Sequence, residues 1–489
     1  MVIESLKYKI LQQFGFAPTQ EQGQALDTFV SFLTDRDPQA VMILRGSAGT
    51  GKTSLSGAIV RTLLQIRQKV MLLAPTGRAA KVFSLGSGAP AYTIHRRIYR
   101  EKAFAGVDGQ FSLNDNLYTD TLFMVDEASM IANMGLGGTT FGSGCLLDDL
   151  VKFVYQGHND RLLLIGDKAQ LPPVGEEESP ALSASVMEGY GLKVYECDLN
   201  EVLRQSQSSG ILYNATLIRQ MITHDAVTGL PLIRFKGFAD IVMMPGAELV
   251  ESLGDSYHHV GMDETMVITR SNKRANIYNN GIRNMVLDRE EELSSGDMLM
   301  IVKNNYFWTE KEKKESGEES AGAVPAFLAN GDRAKVLRVS NYIELYGFRF
   351  ATLLLQLPDY DDYEMQVTGM LDTLQSEAPA LTHEQQEELF RQVEEDYQHF
   401  VPLKADRMKS IRQDAYFNAL QIKYAYAVTC HKAQGGQWAH VYVDQGYMTD
   451  DMLTPDYIHW LYTAFTRATD KLFLVNWPKE QTSEPTDHL

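Results

Sequence analysis

Short runs of consecutive apolar residues at 40–45, 69–74, 121–125 and 161–166 alternate with stretches of helical spacing. That alternation predicts a parallel sheet with covering helices, an α/β class in which the loops after successive strands converge on one edge. The rhythm fails between residues 97 and 120, where aromatics flank the turn signal Val107-Asp108-Gly109 and predict an inserted hairpin. A second alternating region starts near residue 196. It holds the run TMVIT (265–269), a helix from Asn272 to Met285, IKYAYAV (422–428), HVYVD (440–444), a helix over 455–468 and KLFLVNW (471–477). Between about 296 and 418 it is interrupted by β-rich pieces, DMLMIV, RAKVLRV and RFATLLLQL, with an Asn330-Gly331-Asp332 turn, which predicts a small β-barrel. Within that interruption, 382–397 has helical spacing and a Thr382/Gln385 capping box. The tail after Trp477 is polar and predicts disorder.

The loop after the first run reads GSAGTGKT at 46–53 and fits the phosphate-cradling pattern G-x-x-x-x-G-K-[ST] in the required strand–loop–helix setting. Gly46, Gly49 and Gly51 let the backbone turn its N–H groups, those of Ser47, Ala48 and Thr50 included, toward anionic oxygens, and Ser54 at the helix start is expected to bind nucleotide with them. Lys52 is expected on the β- and γ-phosphates and Thr53 on Mg²⁺. After the third run, MVDEAS places Asp126 as the Mg²⁺ partner and Glu127 as the group that orients an attacking water. Loop and acidic pair together predict nucleotide hydrolysis.

After the fourth run, GDKAQLPPVG puts Gln170 beside that pair, where it would report loss of the terminal phosphate. Arg204 in NEVLRQ and Arg467 in YTAFTRATDK are candidates to neutralise transition-state charge across a cleft. Thr76 and Arg78 in APTGRAAK, Thr93 and His95 in TIHRR, and Thr429, His431 and Lys432 in VTCHKAQGGQW suit a groove that tracks a nucleic-acid backbone. Gln22 has an amide able to read adenine; Thr19 is well explained as a helix N-cap, and Gln22 less well.

Composition adds bounds rather than chemistry. At 489 residues several domains are expected. The net charge of −18 neither supports nor excludes nucleic acid, because the acid concentrates at 309–320 and 384–396 while Lys404, Arg407, Lys409 and Arg412 form a basic stretch. No apolar stretch approaches the ~20 residues that span a bilayer. The opening residues lack a continuous apolar core, so no secretory leader is expected. Cys145, Cys197 and Cys430 show neither disulfide nor zinc spacing, which fits a cytoplasmic location.

In this order, the Gln22 segment, GSAGTGKT, APTGRAAK, TIH, DEAS, GDKAQLPPVG, NEVLRQ, the ANGD turn at 329–332, CHKAQGGQ and YTAFTRA resemble superfamily 1B DNA helicases of the RecD-like and phage Dda-like kind. The resemblance implies two RecA-like domains closing on ATP·Mg²⁺. The first would be 1–200, with a duplex-splitting hairpin at 97–120. The second would be 201–295 with 419–478. An SH3-like β-barrel domain at 296–418 would carry an acidic helical excursion at about 374–400, and 479–489 would be a disordered tail. It further implies that Gln434, with Gly435 beside it, couples the second domain to nucleotide. The implied activity is ATP-dependent, 5′→3′ movement on single-stranded DNA with unwinding of forked duplex, by a monomer that meets single-strand-binding, replisome or recombination proteins. An RNA translocase of the same superfamily, or an ATP-gated loader subunit, remains open at this point. The glycine-rich segment 131–144 has no assigned role.

Overall fold

The run Ala40–Gly46 forms β1, and every residue in it is buried, as expected of a central strand covered on both faces. Alternate residues feed opposite cores. Met42 and Leu44 join the cluster around Leu26, Phe29 and Leu55, while Val41 and Ile43 join the one around Phe123, Leu150 and Val154. The computed structural model describes residues 2–105, 108–135, 142–201, 208–223, 229–320, 324–325, 327–449 and 452–483. It divides into two compact units, Met1–Pro245 with Ala433–Leu489, and Gly246–Lys432.

In the first unit β2 (Lys69–Ala74) and β3 (Ala91–Thr93) precede a separate antiparallel hairpin of β4 (Tyr99–Ala105) and β5 (Asp108–Leu113). The expected turn signal is shifted, since Asp108 and Gly109 already pair with Ala105 and Phe104, and residues 106–107 lie outside the described residues. β6 (Thr121–Val125), β7 (Arg161–Gly166) and β8 (Lys193–Leu199) complete a parallel sheet in the order β3-β2-β6-β7-β1-β8. The apolar pattern did not predict β3, which is three residues long, or β8, whose side chains are mostly half-buried or exposed. β9 (Ile241–Met244) follows.

In the second unit β10 (Thr265–Thr269) leads into the helix Asn272–Gly281, which passes into a π-helical turn, Ile282–Val286, where one continuous helix was expected. β11 (Met298–Ile301), β12 (Arg333–Leu345), β13 (Phe348–Leu357), β14 (Tyr363–Met370) and β15 (Leu420–Tyr424) close a barrel. IKYAYAV therefore does not act as one strand of the second α/β region. Its first residues close the barrel against β11, with Leu299 opposite Tyr424, and only β16 (Ala427–Thr429) pairs in parallel with β10. The predicted capping box is present at Thr382, and the helix His383–Gln398 packs on the barrel through Leu389 and Val393, beside Ile411 of the helix Lys404–Arg412.

Back in the first unit, β17 (Trp438–Asp444), the helix Pro455–Phe465 and β18 (Ala468–Val475) follow, with β18 parallel to both β17 and β9. Parallel sheets with helices, a hairpin and a closed barrel make up the expected α/β fold. The tail is corrected over 479–483. Gln481 is buried against Gln445, and Thr482 bridges Ile233, so local packing orders a polar stretch; 484–489 lie outside the described residues. No helix among the described residues is long and apolar enough to cross a membrane.

Candidate nucleotide site

The phosphate loop is shaped by steric need at particular glycines. Gly49 and Gly51 hold φ of +78° and +76°, a region that side chains disfavour. At Gly46 an added Cβ would meet Thr50 Oγ1 at 3.0 Å and Leu199 Cβ at 3.3 Å. Thr50 Oγ1 donates to Ser47 O at 2.8 Å, tightening the loop from within. Lys52 opens the helix Lys52–Gln65 and donates to Gly46 O at 2.9 Å. Thr53 and Ser54 are exposed in its first turn.

β6 delivers the acidic pair. Asp126 N–H donates to Leu73 O at 3.0 Å, which fixes the strand end. Glu127 takes φ of +52°, a conformation costing a non-glycine residue about 1–2 kcal/mol, and its N–H donates to Asp126 Oδ1 at 2.9 Å. Burial first, then the neighbouring Glu127 charge, push Asp126 up to about 6, against the pull of Lys52. Asp167 is likewise raised by burial, while Lys52 and the Tyr462 hydroxyl oppose the rise.

Gln170 joins two predicted residues directly. With its amide nitrogen toward the carboxylate, it donates to Glu127 Oε2 at 3.2 Å and its oxygen accepts from Arg467 Nη2 at 3.1 Å. Arg467 is buried and otherwise spends its donors on Thr463 O at 3.1 Å, Gly436 O at 3.1 Å and Thr466 Oγ1 at 3.2 Å. Lys52, Thr53, Asp126, Glu127, Gln170, Gly435 and Arg467 line one cleft of about 650 Å³. Gln434 lies behind it, buried, donating to Leu171 O at 2.7 Å. Arg204 lies outside the described residues.

The other predicted residues have structural employment. Gln22 is buried and completes a capping box. Its Oε1 accepts from Thr19 N at 3.0 Å and its Nε2 donates to Thr50 O at 2.8 Å. A helix start therefore accounts for Gln22 as well as for Thr19, contrary to the sequence expectation. Thr76 and Thr93 cap their helices by accepting from Ala79 N and Arg96 N. Arg78 donates to Gln437 O at 3.0 Å and lies 5.8 Å from the Trp438 ring centroid. Burial pushes His95 down to about 4, so it is neutral. In the second unit Thr429 ends β16, His431 is exposed, and Lys432 donates to Asn330 Oδ1 and is lowered to about 8 by burial and by Lys423.

A model described as an AAA domain matches residues 17–229, and one described as a UvrD-like helicase C-terminal domain matches 424–475. The ATP-dependent RecD2 DNA helicase of Deinococcus radiodurans is 30% identical over 157 residues, covering 32% of this chain and 18% of that protein. The ATP-dependent DNA helicase dda of Enterobacteria phage T4 is 25% identical over 267 residues, covering 53% and 55%. The chain is thus similar to an AAA domain over its first half, to a UvrD-like helicase C-terminal domain near its end, and to the RecD2 and Dda helicases over part of its length. It spans less than two thirds of either relative's own length. Among solved structures, a Pif1 helicase from Bacteroides in complex with ADP-AlF3 and ssDNA covers 96% of the chain and 95% of its own, at 13% identity and a TM-score of 0.46.

Four residues that sequence reasoning did not single out tie neighbouring helices to the phosphate loop or to the segment that follows β7. Tyr462 OH donates to Asp167 Oδ2 at 2.6 Å and accepts from Ala48 N at 3.0 Å. Thr463 Oγ1 accepts from Leu171 N at 2.8 Å, and His459 Nδ1 meets Ala169 O at 2.9 Å. Arg219 donates to Ser47 Oγ in the phosphate loop. The first three fall within or just before YTAFTRA, so their spacing to Arg467 was a usable signal. Arg219 had none.

Proposed function

We propose that this chain is an ATP-driven DNA helicase that moves 5′→3′ on single-stranded DNA and unwinds forked duplex. The observation that carries the reading is the connected line Glu127–Gln170–Arg467 in a cleft shared with Lys52. A base, a sensor and a cation are coupled there without an intervening gap. Lys52 and the loop amides bind the phosphates, Glu127 orients the attacking water, and Gln170 links the state of that carboxylate to Arg467. When the terminal phosphate leaves, this line relaxes, and the change reaches the segment that carries Arg467 and Gln434.

The donor set suits Mg²⁺. It is hard oxygen from Thr53 and Asp126, both of which line the cleft. When bound, Mg²⁺ supplies charge neutralisation at the phosphates. Arg204 is a second finger in this reading, and Gln22 reads adenine with the N–H and lone pair left over from its capping bonds. Thr76, Arg78, Thr93, His95, Thr429, His431 and Lys432 follow the DNA backbone.

The domains are 1–200, then 201–295 with the residues that follow the barrel up to 478, and the barrel domain at 296–418 extended to its closing strand Leu420–Tyr424. Both edges of the cleft come from one chain, so a monomer suffices. It works in the reducing cytoplasm, with single-strand-binding or replisome proteins as partners.

Lys52→Ala is expected to abolish ATP hydrolysis stimulated by single-stranded DNA while leaving DNA binding measurable. Retained turnover would remove the phosphate site. Unwinding of forks with only 5′ or only 3′ tails tests polarity, and poly-dT against poly-rU stimulation tests the nucleic acid.

A further inference from the structure

We propose that Tyr462 is a latch on the phosphate loop: its hydroxyl holds the Ala48 N–H until a nucleotide phosphate takes that N–H over. The inference rests on reading residues 46–53 as the nucleotide-binding loop.

The geometry leaves the hydroxyl one orientation. Its single proton goes to Asp167 Oδ2 at 2.6 Å, so a lone pair faces Ala48, whose N–H donates to it at 3.0 Å. Tyr462 is 1% exposed, which leaves no room for water to share the contact. Burial and the Asp167 charge both hold the proton on the phenol. A backbone N–H makes one good hydrogen bond. Ala48 belongs to the cradle that the loop's glycines shape, so phosphate and Tyr462 compete for the same hydrogen.

The competition reports outward. Tyr462 stands five positions before Arg467, and Asp167 three positions before Gln170. The same helix and the same segment are joined again by Thr463 to Leu171 N and by His459 to Ala169 O. Displacing the hydroxyl from Ala48 therefore frees one end of a bridge whose other end is the loop that carries Gln170. Tyr462 is a positioning residue, acting through Asp167 and its own helix rather than on the reacting atoms.

The latch has a sign that a structural staple lacks. Removing the hydroxyl removes a competitor, so Tyr462→Phe should bind a fluorescent non-hydrolysable ATP analogue about five-fold tighter than the native protein, the worth of roughly one ordinary hydrogen bond. The double variant Tyr462→Phe with Asp167→Asn, which also neutralises the carboxylate that has lost its Tyr462 donor and keeps only Ala169 N among the described residues, should show at least the same gain. Thr463→Val breaks a bond between the same helix and the same segment without touching Ala48, and should show none. Unchanged or weaker binding by both Tyr462 variants would overturn the latch, and so would an equal gain in Thr463→Val. If the native protein fails to bind the analogue at all, the reading of the loop itself is lost instead, which is a separate and distinguishable result.

Discussion

Each unit of the molecule buries an acidic centre, and the two are built on opposite terms. In the second unit Asp297, fully buried, accepts from Arg283 Nε and Nη2 at 3.1 Å each, from Arg289 Nη1 and Tyr426 OH at 2.7 Å, and from Ser294 N at 2.7 Å. Two cations and two neutral donors answer one charge, and they fasten the π-helical turn to the start of the barrel. In the first unit Asp126 accepts, among the described residues, only from Glu127 N, stands beside a second carboxylate, and is pushed up to about 6. A buried carboxylate with all its donors is a structural joint. One held next to another carboxylate is a place for charge that comes from elsewhere, and perturbation of this kind marks working sites.

The contrast predicts that the two centres fail differently. Glu127→Gln keeps the shape of the cleft and the Gln170 contact but loses the group that orients water. Turnover should fall by about 10²–10⁴-fold, with ATP still bound and the melting temperature hardly changed. Single-turnover hydrolysis with a parallel nucleotide titration checks this, and rapid hydrolysis by the variant would erase the distinction. Asp297→Ala should do the reverse. Buried Arg283 and half-buried Arg289 lose their counter-charge, so unfolding becomes easier by about 3–5 kcal/mol. The fraction that remains folded should bind nucleotide as the native protein does. Denaturant unfolding monitored alongside ATP-analogue affinity separates the two, and a loss of affinity without a loss of stability would show that the joint is part of the site.

What was legible in the sequence follows the same division. GSAGTGKT and DEAS could be read because each packs its chemistry into a few consecutive residues that a strand end must display. Gln170 and Arg467 could be named because strand context and family order located them, although nothing local said that they touch. Tyr462 was missed for a physical reason, since its partner Ala48 lies 414 positions away and a tyrosine on a buried helix face looks like core. Gln22 was read toward base recognition on its amide chemistry and judged less well explained by the helix start at Thr19, although Thr19 and Gln22 have the same capping-box spacing as Thr382 and Gln385. The barrel edge at 418 was set too early because Leu420–Tyr424 has the apolar density of a central parallel strand, and the same density serves a barrel interior. Short β3 and half-exposed β8 carry no periodic signal at all.

A third buried acid lies between the two extremes and gives the finest test. Asp332, 1% exposed in the second unit, accepts on Oδ2 from Ala329 N at 2.7 Å and from Tyr360 OH at 2.6 Å, while its Oδ1 has no hydrogen-bond partner among the described residues. Burial pushes it up to about 7 despite those two donors. An unfolded aspartate titrates near 3.9. Between about pH 4 and 7 the folded chain therefore holds a proton that the unfolded chain has released, so Asp332 makes stability fall as pH rises through that window and level off above it. Asp332→Asn keeps an oxygen for both donors and removes the titration. The variant should lose this contribution to the slope between pH 5 and 7. At pH 8 it should differ from the native protein by no more than on the order of 1 kcal/mol, since the amide gains neutrality but leaves an N–H₂ where Oδ1 had no partner. Nucleotide affinity should stay unchanged throughout. Melting curves at several pH values check the sign, and a slope identical to that of the native protein would mean that Asp332 is ionised across the range and belongs with Asp297 among the compensated joints.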